Sequence, residues 1–163
     1  MELLGEILEI REVSLTAKDC RTGEQVLSGN KGSRAGLSSM INRLRGYGGY
    51  EGYLVQTDKH KYHVLIEDGQ SCCENWGYIT TNEDLSYFVG AELYKVELTD
   101  TALNKKPLED IENYLVGGGG IVFVDFTTSK GVFQLVVYNA HNGYYGHAIM
   151  VCKDYEIIHD DSL

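Results

Sequence analysis

Short apolar runs rich in β-branched and aromatic residues recur along the chain, and in Ala91–Leu98 they alternate with polar positions. They predict strands at Tyr53–Gln56, Lys61–Ile66, Ala91–Leu98, Ile121–Phe126, Val132–Tyr138 and Tyr145–Val151. Asp58-Lys59-His60 reads as the turn of a first hairpin, and Asn142-Gly143 is the strongest hairpin signal in the chain. A different period governs Leu37, Met40, Ile41 and Leu44, which share one helical face. With Ser33 as a cap, they predict a helix over 33–45. Shorter helices are expected near Glu83–Val89 and over Leu108–Leu115. The start of the chain is ambiguous: Leu3, Leu4, Ile7 and Leu8 fit a helical stripe, whereas Val13, Leu15 and Ala17 alternate as a strand would. Asp160-Asp161 reads as a frayed tail.

Strong strands follow one another without helix-length crossovers, which favours antiparallel pairing. The expected class is therefore α+β: a mostly antiparallel sheet with two or three helices packed on one face. Residues 1–163 read as a single domain, with 1–52 a helical and loop extension and 53–152 a β-rich core. Within the extension, Gly46–Tyr53 interleaves glycine and tyrosine. It reads either as a mobile, adhesive loop or as a plain connector. A chain of 163 residues buries roughly 70% of its unfolded surface, so it needs no staple to fold. The 19 glycines against the single proline, Pro107, point to turns and β-structure.

Charge narrows the partners. Twenty-four acidic residues against 14 basic ones give a net charge of −10. Such a field opposes phosphate backbones, so direct nucleic-acid binding is not expected. A protein partner with a basic surface suits it better. No run approaches the roughly 20 apolar residues of a membrane span, and Met1–Glu6 carries no basic leader. A cytoplasmic protein without membrane contact is the expectation. Gly29-Asn30-Lys31-Gly32-Ser33 lacks the ending of a phosphate loop and is set aside.

The candidate chemistry lies in Gln70-Ser71-Cys72-Cys73-Glu74-Asn75-Trp76. Cysteine normally sits in apolar runs, whereas Cys72 and Cys73 are flanked by Glu67, Asp68, Gln70 and Glu74. A second cluster places His141 and His147 on either side of Asn142-Gly143. Thiolate plus imidazole selects zinc, and Cys72, Cys73, His141 and His147 supply a tetrahedral set of metal ligands. The spacing is not that of a Cys-x-x-Cys knuckle, so both cysteines can reach one ion only from a turn. A thiol enzyme is the competing reading: Cys72 or Cys73 as nucleophile, a histidine as base, and Asn139 or Asn142 to orient it. Two thiols without chemistry is the third.

The Gln-x-Cys-Cys-Glu segment (Gln70, Cys72, Cys73, Glu74) and the Asn142-Gly143-Tyr144-Tyr145 turn together resemble an uncharacterised family of small bacterial and phage domains, over residues 53–152. The resemblance implies a phage or mobile-element setting and brings no reaction with it. Combined with the charge, it makes the expected function non-enzymatic: inhibition of a host defence system by protein binding, a CRISPR nuclease first among the targets. Any zinc would be structural.

Overall fold

The structure, a computed structural model, describes residues 2–16, 49–67, 75–80, 84–99, 120–140, 148–154 and 156–162. Among these residues nine strands form one antiparallel sheet in the order β4-β7-β6-β5-β1-β2-β3-β8-β9. They are β1 (Gly5–Thr16), β2 (Gly49–Thr57), β3 (Lys61–Glu67), β4 (Asn75–Thr80), β5 (Glu92–Thr99), β6 (Gly120–Thr128), β7 (Gly131–Ala140), β8 (Ala148–Lys153) and β9 (Glu156–Ser162).

The sheet divides at β1. Only Gly5 and Glu6 pair with β5, opposite Leu93 and Glu92. From Ile7 to Thr16 the strand pairs with β2. Core residues from the two halves then pack face to face. Tyr53, Val55, Tyr62 and Val64 share a cluster with Val124, Phe126, Phe133 and Leu135. Tyr62 meets Phe126 at 6.4 Å between ring centroids, and Phe126 stacks on Phe133 at 4.8 Å. Burying each such aromatic contributes roughly 1.5–3 kcal/mol, so this inner layer supplies most of the cohesion.

Two glycines make this geometry possible. Gly5, at φ +120°, sits where the strand passes from one half to the other, and a Cβ there would lie 2.5 Å from Thr57 Oγ1 and Asp58 Oδ1. The corner is tied by bonds that Gly5 leaves room for. Glu6 N donates to Asp58 Oδ1 at 2.8 Å, Ile7 N to Ala91 O at 2.8 Å, and Gly90 N to Ile7 O at 2.7 Å. Gly52, at φ +156°, lets β2 approach β3 so closely that a Cβ would fall 1.8 Å from the Val64 carbonyl oxygen.

The expected α+β class is overturned. Among the described residues the architecture is all-β, and the one helical piece is a 3₁₀ turn at Leu85–Phe88. It falls in the predicted helix near Glu83–Val89, where Asp84 caps it by accepting from Ser86 N at 3.0 Å. The expected helices over 33–45 and 108–115 lie outside the described residues. The presumed helical stripe at Leu3–Leu8 is largely β1. Its period breaks because the register slips between Ile7 and Glu9, which leaves Ile7 buried and Leu8 half exposed. Nor do the last two predicted strands form a hairpin: β7 pairs with β6 and β4, whereas β8 pairs with β3 and β9. The supposed frayed tail is strand β9. Tyr50 and Tyr53, read as part of an adhesive loop, are buried residues of β2.

Candidate functional site

Cys72, Cys73, His141 and His147 lie outside the described residues. The strands that bound them are described, and their ends are informative. Segment 68–74 connects β3 to β4, and segment 141–147 connects β7 to β8, so each joins one half of the sheet to the other. Their end points are neighbours: Ile66 pairs with Ile149, and Asn75 pairs with Ala140. Two connections that are distant in sequence therefore leave and enter the sheet at the same two pairs of strand ends, β3 with β8 and β4 with β7. Asn139, the proposed orienting group, is fully buried on β7, paired with Trp76 on one side and Gly120 on the other. Of the four cysteines, Cys152 is buried on β8, across from His63 of β3. Among the described residues no group of three or more His, Cys, Asp or Glu side chains is arranged to hold a metal ion.

A second arrangement is visible where β1 runs on beyond β5. Register sets Glu12 opposite Tyr53 and Ser14 opposite Glu51. Tyr78, on edge strand β4 of the other half, meets Tyr53 edge to face at 5.4 Å and 90°. Burial, followed by the charge of Glu12, pushes the Tyr53 hydroxyl up to about 12. Burial, followed by Glu12 and Glu51, raises Tyr78 as well. Glu12 thus projects its field onto both phenols, and Glu51 onto Tyr78. The cation next to Glu12 in β1 is engaged elsewhere: Arg11 pairs with Glu9 at 3.0 Å. Among the described residues, Glu12 and Glu51 have no ion-pair partner.

Other polar clusters are structural. Asp154, at φ 49°, accepts from Lys61 N at 2.9 Å and pairs with His60 Nδ1 at 2.6 Å, which clamps the β8–β9 turn onto the β2–β3 hairpin. Gln134 Nε2 donates to Asp125 Oδ1 at 2.6 Å across β6 and β7. The Asp125 carboxyl is raised by burial, against the opposing effect of that bond. Sequence reading missed the Glu12–Tyr53–Tyr78–Glu51 group altogether. Its members come from three strands, and nothing short of the register brings them together.

Among the described residues, a two-layer, all-β arrangement with an acidic, tyrosine-lined seam is the class the geometry defines. The chain matches a domain of unknown function, DUF7448, over residues 7–151, and belongs to that family. The match begins within β1, so residues 7–52, which lie outside the narrower resemblance, are part of the family domain. No curated protein and no solved structure matches the chain. Among the described residues no helix is long and apolar enough to cross a membrane.

Proposed function

We infer that the protein is a non-catalytic, acidic binding module that works in the host cytoplasm. In this reading it belongs to a phage or mobile element and occludes the basic surface of a defence nuclease, a CRISPR nuclease first among them. The observation that carries the reading is electrostatic: a net charge of −10, with Glu12 and Glu51 on the β1–β2 seam left without a counter-cation among the described residues. A negative field of this kind accelerates docking on basic grooves and repels nucleic acid itself. Two further acidic runs, Glu67–Asp68 and Glu109, Asp110 and Glu112, offer the same kind of face; apart from the Glu67 backbone in β3, they lie outside the described residues.

The test is a panel of purified CRISPR nucleases assayed for DNA cleavage with and without the protein. At least one should be inhibited, and association should slow about tenfold or more between low and high ionic strength. Duplex DNA alone should not be retained. Inhibition of none, or inhibition indifferent to salt, removes the reading.

A structural zinc on Cys72, Cys73, His141 and His147 accompanies this proposal. What supports it is the pairing of Asn75 with Ala140 and of Ile66 with Ile149, which brings the boundaries of both connections to one end of the domain. The donor set fits zinc, and such a site stabilises the fold because metal binding and folding are coupled. Elemental analysis should find about one zinc per chain, lost in Cys72→Ser or Cys73→Ser, and chelation should lower Tm. A metal-free protein that melts normally would sink it.

A further inference from the structure

We propose that the open edge of β1 receives an extended basic segment of a partner protein, paired strand to strand along Glu9–Thr16, with one lysine or arginine side chain seated beside Glu12 and Tyr78. This placement rests on the acidic-binding reading above and adds where, and in what form, the basic partner engages.

The edge exists because β5 leaves β1 after Glu6. Among the described residues no strand pairs with that side of β1 from Leu8 onward, while Glu9, Arg11, Glu12 and Ser14 are exposed. The stretch Glu9–Thr16 offers about 26 Å of backbone at ~3.3 Å per residue, enough for an eight-residue strand. Unpaired N–H and C=O groups along such an edge are a template for strand addition, in which backbone bonds supply affinity and alternate side chains supply selectivity.

Parity determines the side chain. A residue added opposite Glu12 shares the face of Glu12 and Tyr53, the face that Tyr78 approaches from β4. Glu51 adds its charge from the neighbouring strand, diagonal to Glu12 through the Ser14–Glu51 pair. Carboxylates beside tyrosine rings favour a cation carried on a long aliphatic stem, which lysine and arginine have. A second copy of the chain would set Glu9 and Glu12 against another acidic edge at net −10 each, and is disfavoured. Charged residues on an edge also serve simply to prevent aggregation. That role predicts no affinity for a basic strand, so the two are separable.

The intact protein would be titrated at low salt with an end-capped octapeptide of alternating threonine and lysine. The control is the same peptide built with D-lysine, equal in charge but unable to hold a regular strand. Binding should favour the all-L peptide at least tenfold, with exchange protection of amides in residues 9–16. Glu12→Gln combined with Glu51→Gln should weaken it at least fivefold with an unchanged circular dichroism spectrum. Equal binding of both peptides, no binding, or protection elsewhere would overturn the placement. If nuclease inhibition survived such a failure, the acidic-binding reading would stand without this edge. If peptide binding held and no nuclease were inhibited, the edge would stand and the defence role would fall.

Discussion

The two stretches of β1 differ in pairing and in exposure. Gly5–Ile7 is hydrogen-bonded on both sides, with Gly5 and Ile7 buried and Glu6 exposed, and is fixed by a close glycine contact. Glu9–Ser14 is paired on one side and carries exposed charge. One strand therefore holds the two halves together with its first residues and presents its remaining edge outward. Cohesion and recognition are separated along the strand rather than across its faces.

Breaking the buried stretch should cost most. Ile7 is fully buried among residues of both halves, so Ile7→Ala should destabilise by about 2–5 kcal/mol in urea melts. A loss below about 1 kcal/mol would mean that the corner is not where the halves are joined.

The outward side of the open stretch offers a test of intermediate size. Arg11 heads a cross-strand row that continues through Leu54 to His63 and Cys152. Burial, with smaller contributions from Lys61 and Arg11 and opposition from Asp154, lowers His63 from 6.5 to about 4. Between those values the unfolded chain takes up a proton that the folded chain refuses. Stabilisation present above pH 6.5 should therefore be lost as pH falls toward 4, on the order of 3 kcal/mol. Urea stability measured against pH, with His63→Gln flattening that slope, checks it. An unchanged slope in the variant assigns the acid sensitivity elsewhere.

The smallest effect sharpens the contrast. Glu12→Gln should change stability by no more than about 0.5 kcal/mol, because the side chain is exposed and has no ion-pair partner among the described residues. A larger loss would make Glu12 part of the scaffold and weaken its assignment to recognition.

Strands with buried inner faces were legible in the sequence where hydrophobic runs were strong, as in β3, β6 and β7. Both faces of this sheet are buried in places: Leu54 and Val55, or Val64, Leu65 and Ile66, are all inaccessible. Continuous runs of that kind blur the two-residue period and say little about which strands pair. β1 was obscured by its bulge, β4 by Gly77 at its centre, and β9 by the acidic residues of an edge strand. The Asn-Gly signal described a local turn chemistry and could not reveal that the flanking strands belong to different halves. Residue type alone points to Cys72, Cys73, His141 and His147 as zinc ligands, and they lie outside the described residues. The seam formed by Glu12, Glu51, Tyr53 and Tyr78 had no signal, since cross-strand register decides it.

The order of strands along the chain has a consequence for how the molecule forms. The polypeptide lays down β1 to β3 in one half, crosses to build β4 to β7 in the other, and returns to finish the first with β8 and β9. The five-stranded half is thus incomplete until the four-stranded half has been traversed, and it cannot be cut out as a continuous piece, whereas β4 to β7 form one unbroken stretch of chain. Pairings such as β3 with β8 and β4 with β7 close long loops, whose entropy must be lost before the contacts stabilise anything. A nascent chain that ends before β8 leaves the β3 edge bare, so the protein should gain its stability in one late, cooperative step.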